Sequence, residues 1–302
     1  MLDQALLLVT QTILISVPFV LAALGGTCSE RGGVVNIALE GILLGGAFAT
    51  ALAAFTSGSP WVGLFAGVGA GIAIAGVHAV LTVAVKIDQI IAGLAINMLV
   101  GGVTEYGMHL VWRESAARAI PVLPRWSLGF GGAFGDLADT LAGMPLVIVT
   151  LFALPIIHLL LERTVFGLRL RASGESPAAV DTAGISVWRV RTMGVLISGG
   201  LAGLGGAWLA FNIGQFQHGM SAGKGFIAMA AVVCGRWRPV GATLACLLFG
   251  ASGALSAGLE RWGLSVPSEL ISTLPYVLTI VAVTGLVGRA RAPAALGQPY
   301  EK

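Results

Sequence analysis

The 302 residues are 56% hydrophobic and only 10% charged, and their mean hydropathy is +0.91. Because a soluble domain carries about 25% charged residues, this composition excludes an ordinary water-soluble fold and predicts that apolar surface faces lipid. The net charge of +3 does not indicate nucleic-acid binding, since the basic residues are scattered between apolar runs and form no basic face.

The apolar runs predict an all-α protein, a polytopic transmembrane helical bundle of about eight to ten membrane helices that forms one domain over residues 1–302. The long runs match the roughly 20 residues needed to cross a hydrocarbon core. One run, 225–235, is too short, so we expect a half-helix or part of a broken helix there. In chain order the runs are 5–26, 34–55, 61–85, 89–112, 144–161, 190–213, 225–235, 239–259 and 269–288.

Arginine and lysine positions predict how the bundle is oriented. Most of them fall between spans on one side, which the positive-inside rule assigns to the cytoplasm. That assignment makes 162–189 a cytoplasmic loop and 113–143 an external loop. In the external loop, Pro121, Pro124 and a glycine cluster predict turns, with a short surface helix.

Polar residues inside two predicted spans are candidates for a solute pathway. Asn36 and Glu40 are four residues apart and are expected to share one face of a helix. A carboxylate inside the membrane must face the bundle interior or a water-filled path. Two hypotheses follow: a hydrogen-bond clamp that holds a broken helix start, or a group that lines the pathway.

A second polar stripe follows one face of the run 89–112. Its members recur every four residues and are Asn97, Gly101, Glu105 and His109. Several weak polar groups are what a transport pathway needs, and the alternative is hydrogen bonding between helices near the outer surface. His78, which stands alone in the third span, is expected to be a packing residue.

Glycine stripes predict faces where helices pack closely. One consists of Gly63, Gly67 and Gly71, and another contains Gly199 and Gly203. Neither stripe is a phosphate-binding loop, because no GxxxxGK[ST] pattern occurs in the sequence. The sequence also contains no HExxH or CxxC pattern and suggests no Ser/His/Asp triad. We therefore expect neither catalysis nor a metal site in this chain.

The segment 173–185 predicts a short helix that projects from the membrane. Ser176 suits the N-cap and Pro177 suits the first helical position. Residues 178–183 then form a helix of about two turns, which Gly184 closes in a left-handed conformation. Its small residues would fit a groove on a partner, and the alternative is a plain connecting loop with a helical turn.

Together these segments resemble the permeases of the branched-chain amino acid, ribose and nucleoside ABC-importer family. The pattern is that of the shorter of two paired permeases in nucleoside or simple-sugar importers, and the resemblance covers nearly the whole chain. The segments that carry it are SERGGVVNIALEGILLGGAFA, FGLRLRASGESPAAVDTAGISVWRVRTMGVLISGGLAGLGGAWL, GKGFIAMAAVVCGRWRPVGA, LPYVLTIVAV and APAALGQPY.

The resemblance implies a complex of two unlike permeases, two ATP-binding cassettes and an external substrate-binding lipoprotein in the bacterial inner membrane. ATP and Mg²⁺ would be bound by the cassettes, and this chain would bind no cofactor and hydrolyse no ATP. The small-molecule substrate would be a nucleoside, with a simple sugar such as ribose or a galactoside as the alternative. A stand-alone secondary transporter is a further alternative, in which a carboxylate such as Glu40 couples ion movement.

The same resemblance makes 173–185 the coupling helix, which sits in a groove of the cassette and transmits its motion to the gates by alternating access. The residues carried over are Gly174, Glu175, Pro177, Ala178, Ala179 and Gly184. The pattern departs from the family's EAA loop because Ser176 and Pro177 separate the glutamate from the alanine pair. This departure leaves the exact contact residues open.

Overall fold

The structure is a computed structural model that describes residues 2–112, 118–127, 132–261 and 291–301, together with the isolated positions 129, 273 and 277. Within these parts the chain forms helices and no strand. The helices are α1 Leu2–Arg31, α2 Leu39–Ser57, α3 Pro60–Ala79, α4 Gln89–Trp112, α5 Gly132–Gly143, α6 Pro145–Arg163, α7 Val165–Glu175, α8 Pro177–Thr182, α9 Val187–Ile213, α10 Lys224–Cys234 and α11 Pro239–Arg261. A π-helical turn, Val80–Ala84, continues α3.

Seven of the described helices are long and apolar enough to cross a membrane: α1, α2, α3 with its π-helical turn, α4, α6, α9 and α11. The prediction of an all-α polytopic membrane bundle is therefore confirmed. The predicted last span, 269–288, lies outside the described residues. The short run becomes α10, whose 11 residues extend only about 16 Å at 1.5 Å per residue, against a core of about 30 Å.

The loop predicted outside the membrane is only partly described. Residues 118–127 have no regular structure, and α5 forms the expected short helix. The loop is connected to the bundle by the backbone, because Ile120 N donates to Gly214 O over 2.9 Å and Trp126 N donates to Gly143 O over 2.9 Å.

Helix α9 lies at the centre of the bundle, and α1, α2 and α3 pack around it. The glycine stripes of α3 and α9 meet each other there. A Cβ built on Gly203 would lie 2.6 Å from Gly67 O and 3.2 Å from Gly71 Cα. A Cβ on Gly46 of α2 would lie 3.0 Å from Gly203 Cα. Three helices thus approach each other backbone to backbone, where van der Waals contact is the main attraction inside a bilayer.

This close approach generates a prediction about Gly203. Replacing it with alanine forces a methyl group against the α3 backbone, which can yield only by separating the helices. Overpacking of this kind costs ~1–3 kcal/mol, so Gly203→Ala should lower the melting temperature of the purified chain. The matched control is Gly69→Ala on α3, where a Cβ meets nothing within 4 Å. Equal melting temperatures for the two variants would contradict the packing described here.

Candidate functional site

The chain is not helical between α1 and α2, and residues 33–38 are called the unwound segment below. Gly33 has a φ of 92°, which favours glycine and turns the chain after α1. Val34, Asn36 and Ala38 are each 0% exposed, so the segment lies in the bundle interior. Backbone N–H and C=O groups there cannot reach bulk water and need partners within the protein.

Side chains from neighbouring helices supply those partners at the start of the unwound segment. Gln89 Oε1 of α4 accepts from Val35 N over 2.7 Å. His78 Nε2 of α3 lies 3.0 Å from Val35 O, and Ser29 Oγ of α1 donates to Val34 O over 2.7 Å. His78 is fully buried, so it packs in the interior as expected and also bonds the segment.

Asn97 of α4 completes the boundary between the unwound segment and α2. Its Nδ2 donates to Ile37 O over 2.9 Å, and its Oδ1 accepts from Gly41 N over 2.7 Å. In a continuous helix those two backbone groups would bond to each other, four residues apart. The Asn97 carboxamide is therefore inserted between them, and it satisfies both groups without a helical turn.

The prediction that Asn36 and Glu40 share one helix face is wrong, because α2 begins only at Leu39. Asn36 belongs to the unwound segment, and its Nδ2 donates to Ser198 Oγ of α9 over 2.9 Å. The prediction failed because the apolar run that begins at residue 34 has the composition of a helix from its first residue. In the structure, the side-chain hydrogen bonds described above take the place of helical hydrogen bonds in residues 34–38, so the helix begins later.

Glu40 bonds the N-terminal end of α10. Its two carboxylate oxygens accept from Gly223 N over 2.8 Å and from Gly225 N over 2.7 Å. The first N–H groups of a helix have no partner in the helix and carry partial positive charge, so a carboxylate stabilises them. A side chain at Gly225 would overlap the Glu40 backbone. This geometry favours the clamp over the pathway hypothesis for Asn36 and Glu40, and for Asn97 it favours hydrogen bonding between helices.

The C-terminal half of α4 differs, because several of its polar residues are exposed. Glu105 and His109 both lie on the surface of the described chain. Met98 beside them is 80% exposed, and a Cβ on Gly101 would meet nothing within 4 Å. A carboxylate that faces hydrocarbon is costly. This surface of α4 is therefore a candidate for contact with another subunit or with a water-filled path.

The predicted short helix in 173–185 is present as α8, which follows Ser176 and is closed by Gly184 at φ 76°. Val180 is buried and anchors the helix, whereas Ala178 and Ala179 are exposed. The exposed surface of α8 therefore carries small side chains. The contact of this surface with a cassette stays a prediction.

The C-terminal tail, residues 291–301, connects this region to the unwound segment. Ala295 N donates to Gly174 O over 2.8 Å, and Gly297 N donates to Gly33 O over 3.1 Å. Gly174 itself packs against the Arg31 carbonyl so closely that a Cβ would overlap it. The tail, α7 and the start of the unwound segment therefore form one hydrogen-bonded unit.

Arg191 of α9 strengthens this unit from inside. Its Nη1 donates to Gln298 O over 2.8 Å, and its Nη2 donates to Ser173 O over 3.2 Å. Sequence reasoning did not single out Arg191. A guanidinium inside an apolar span is expensive unless paired, and that cost was the signal that could have identified it.

The end of the tail also contacts α8. The Tyr300 hydroxyl is hydrogen-bonded to the Asp181 carboxylate. Desolvation and the negative charge of this carboxylate raise the pKa of Tyr300. Lys86 Nζ and Glu301 Oε1 are 3.8 Å apart on the surface, where an ion pair contributes at most ~1 kcal/mol.

The Asn97 contacts generate a prediction about stability. Asn97→Ala leaves Ile37 O and Gly41 N without partners, and each such group costs ~1–3 kcal/mol. Thermal unfolding of the purified chain should therefore begin at a clearly lower temperature. Met98→Ala is the control on the same helix, since it removes an exposed side chain. If the two variants unfold alike, other groups satisfy this boundary.

The tail contacts generate a second prediction. Truncation after residue 291 removes the bonds to Gly174, Gly33 and Arg191, so amide hydrogen exchange should increase across 173–185 and around Gly33. Lys86→Ala is the control, because it removes only the exposed ion pair and should leave exchange unchanged. Unchanged exchange in the truncated chain would show that the tail does not hold this region.

Comparison with known proteins places this arrangement in a family. The family model described as branched-chain amino acid transport system, permease component, matches residues 8–283. The chain is 39% identical to the guanosine ABC transporter permease protein NupQ of Bacillus subtilis (strain 168), over 98% of this chain and 97% of that protein. It is 35% identical to the nucleoside ABC transporter permease protein NupC of Lactococcus lactis subsp. cremoris (strain MG1363), again over 98% and 97%.

A more distant relative is the guanosine ABC transporter permease protein NupP of Bacillus subtilis (strain 168), with 27% identity over 90% of this chain and 80% of that protein. NupP and NupQ are thus two unlike permeases of one organism that carry the same substrate name. The resemblance inferred from the sequence is confirmed: this multi-pass membrane chain belongs to the permease family of branched-chain amino acid transport systems.

Proposed function

We propose that this chain is the membrane-spanning subunit of an ATP-binding cassette importer that moves a nucleoside across the bacterial inner membrane. The observation that carries the proposal is identity of 35–39% over 98% of the chain to two permeases named for guanosine or nucleoside transport. The fold is compatible with it, because the described part of the chain contains seven helices that are long and apolar enough to cross a membrane.

The energy for transport comes from separate cassette subunits that bind ATP and Mg²⁺, since the sequence contains no phosphate-binding loop. We assign α8 as the coupling helix. Its exposed alanines fit a groove, and Val180 anchors it to the bundle. A displacement of α8 would move α7 and Gly174, and through the tail it would move the start of the unwound segment.

The solute pathway lies between this chain and a second, unlike permease, for which NupP and NupQ provide a precedent. We place the exposed surface of α4 that carries Glu105 at this pathway, because the same carboxylate would be costly against lipid. Asn36, Glu40 and Asn97 contribute indirectly, because they hold the backbone of the unwound segment and the start of α10 in place. An external lipoprotein supplies selectivity, so the permease needs only weak contacts with the solute.

The proposal is tested in proteoliposomes that contain this chain, its partner permease and the cassettes, supplied with the external lipoprotein. ATP-dependent uptake of labelled guanosine is expected, with ribose and galactose as the comparison solutes. Uptake of a sugar but not of a nucleoside would favour the sugar alternative. Uptake by this chain alone without ATP would contradict the importer assignment and favour a secondary transporter.

The α8 assignment generates a separate prediction. Ala179→Glu places a bulky charge on the exposed surface of the short helix, where contact with a cassette would bury it without a partner. ATP-dependent uptake should fall by about tenfold or more, since burying an unpaired charge costs more than the ~1.4 kcal/mol that corresponds to tenfold. Ala119→Glu is the control, because Ala119 is also exposed and lies in the loop predicted outside the membrane. Full activity of Ala179→Glu would contradict the assignment.

A further inference from the structure

A cavity of about 870 Å³ lies where the last turns of α1 and α6, helix α7 and the turn between α10 and α11 meet. Five arginines line it: Arg31, Arg163, Arg171, Arg236 and Arg238. Among the lining residues that the structure describes, Glu162 is the one carboxylate. The cavity therefore carries a strong excess of positive charge. The positive-inside rule assigns this end of the bundle to the cytoplasm.

The single carboxylate is already shared. Glu162 accepts from Arg171 Nη1 over 2.8 Å and lies 4.0 Å from Arg31 Nη2. Arg31 Nε in turn donates to Trp237 O over 2.7 Å. Within the described part of the chain, Arg163 and Arg238 have no carboxylate within ion-pairing distance. Both side chains are exposed at the cavity, so two guanidinium groups remain for an external anion.

Two buried polar atoms of the lining residues also lack hydrogen-bond partners in the described structure. They are His158 Nδ1 of α6 and Arg171 Nε of α7. A buried polar atom without a partner is unfavourable. Both residues line the charged cavity, so unsatisfied hydrogen-bonding capacity lies beside its five arginines.

The opposite wall of the same cavity is apolar. Val240 and Leu244 of α11 line it and are 44% and 62% exposed. They lie one turn apart on a membrane-spanning helix and face a cavity that His158 of α6 also lines. A basic end that continues into an apolar wall on a membrane helix matches a molecule with an anionic head and a hydrocarbon chain.

We propose that this cavity binds the headgroup phosphate of an anionic phospholipid of the adjacent leaflet, with an acyl chain along Val240 and Leu244. Guanidinium groups bind phosphate oxygens in bidentate pairs, and basic pockets between membrane helices are sites for anionic lipid headgroups. The apolar wall distinguishes this ligand from free phosphate and from an acidic surface of a cassette. The site is separate from nucleoside transport and does not depend on it.

The test measures lipid that stays with the complex after purification from cell membranes in mild detergent. Native mass spectrometry is used to quantify bound phosphatidylglycerol and cardiolipin. In Arg163→Gln/Arg238→Gln the bound anionic lipid should fall by about tenfold, because two phosphate contacts are lost. The matched control is Arg169→Gln/Arg189→Gln, which removes the same charge at two exposed arginines that do not line the cavity and should retain the lipid.

A second variant keeps the charges and blocks the apolar wall. Leu244→Trp should also release the lipid, whereas Leu248→Trp, one turn further along α11 and not among the lining residues, should not. If Arg163→Gln/Arg238→Gln cannot be purified, loss of lipid from Leu244→Trp supports the proposal by itself. In the delipidated complex, phosphatidylglycerol nanodiscs should restore binding and phosphatidylcholine nanodiscs should not.

Three results would overturn the proposal. The first is equal lipid occupancy in the cavity variants and their controls. The second is equal binding of inorganic phosphate in place of the lipid, which would identify a simple anion site. The third is loss of the cassette subunit from Arg163→Gln/Arg238→Gln with bound lipid unchanged, which would identify an acidic protein surface as the occupant.

Discussion

A length of peptide backbone that is buried but not helical sets the central constraint on this bundle. Several N–H and C=O groups of the unwound segment, among them Val35 N and Ile37 O, are bonded by side chains of other helices instead of by the backbone, and hydrocarbon would provide no hydrogen-bond partner for them. Gln89, His78 and Asn97 supply the missing partners from α3 and α4. The relative positions of α2, α3 and α4 follow from this need, as does the place where α2 begins.

The unwound segment also connects the region around α7 and α8 with the start of α10. The unwound segment starts at Gly33, whose carbonyl accepts from the tail, and the tail is bonded to α7 through Gly174. It ends at α2, whose Glu40 bonds the start of α10. In the proposed function, a movement that entered at α8 would reach the interior through these hydrogen bonds.

The sequence predicted the type of the fold well, because the length and hydrophobicity of each span identify it without reference to the rest of the chain. It also predicted α8, since Pro177 and Gly184 define a short helix through local backbone preferences alone. It was wrong about Asn36 and Glu40, because four-residue spacing implies one face only if the intervening residues are helical. The glycines of α3 and α9 were visible as stripes, but their spacing did not tell which helix each stripe contacts.

Composition and periodicity by themselves determined that this chain is a multi-pass helical membrane protein with no phosphate-binding loop, and its segments resemble those of a permease family. These properties are local or additive along the chain, so they can be read without a structure. Only the tertiary structure decided that Asn97 bonds the boundary between the unwound segment and α2, that Glu40 bonds α10, and that Arg191 holds a tail more than 100 residues away. Those contacts depend on how helices that are distant in sequence pack together. A buried polar group needs a hydrogen-bond partner, and the packing decides which partner lies within reach.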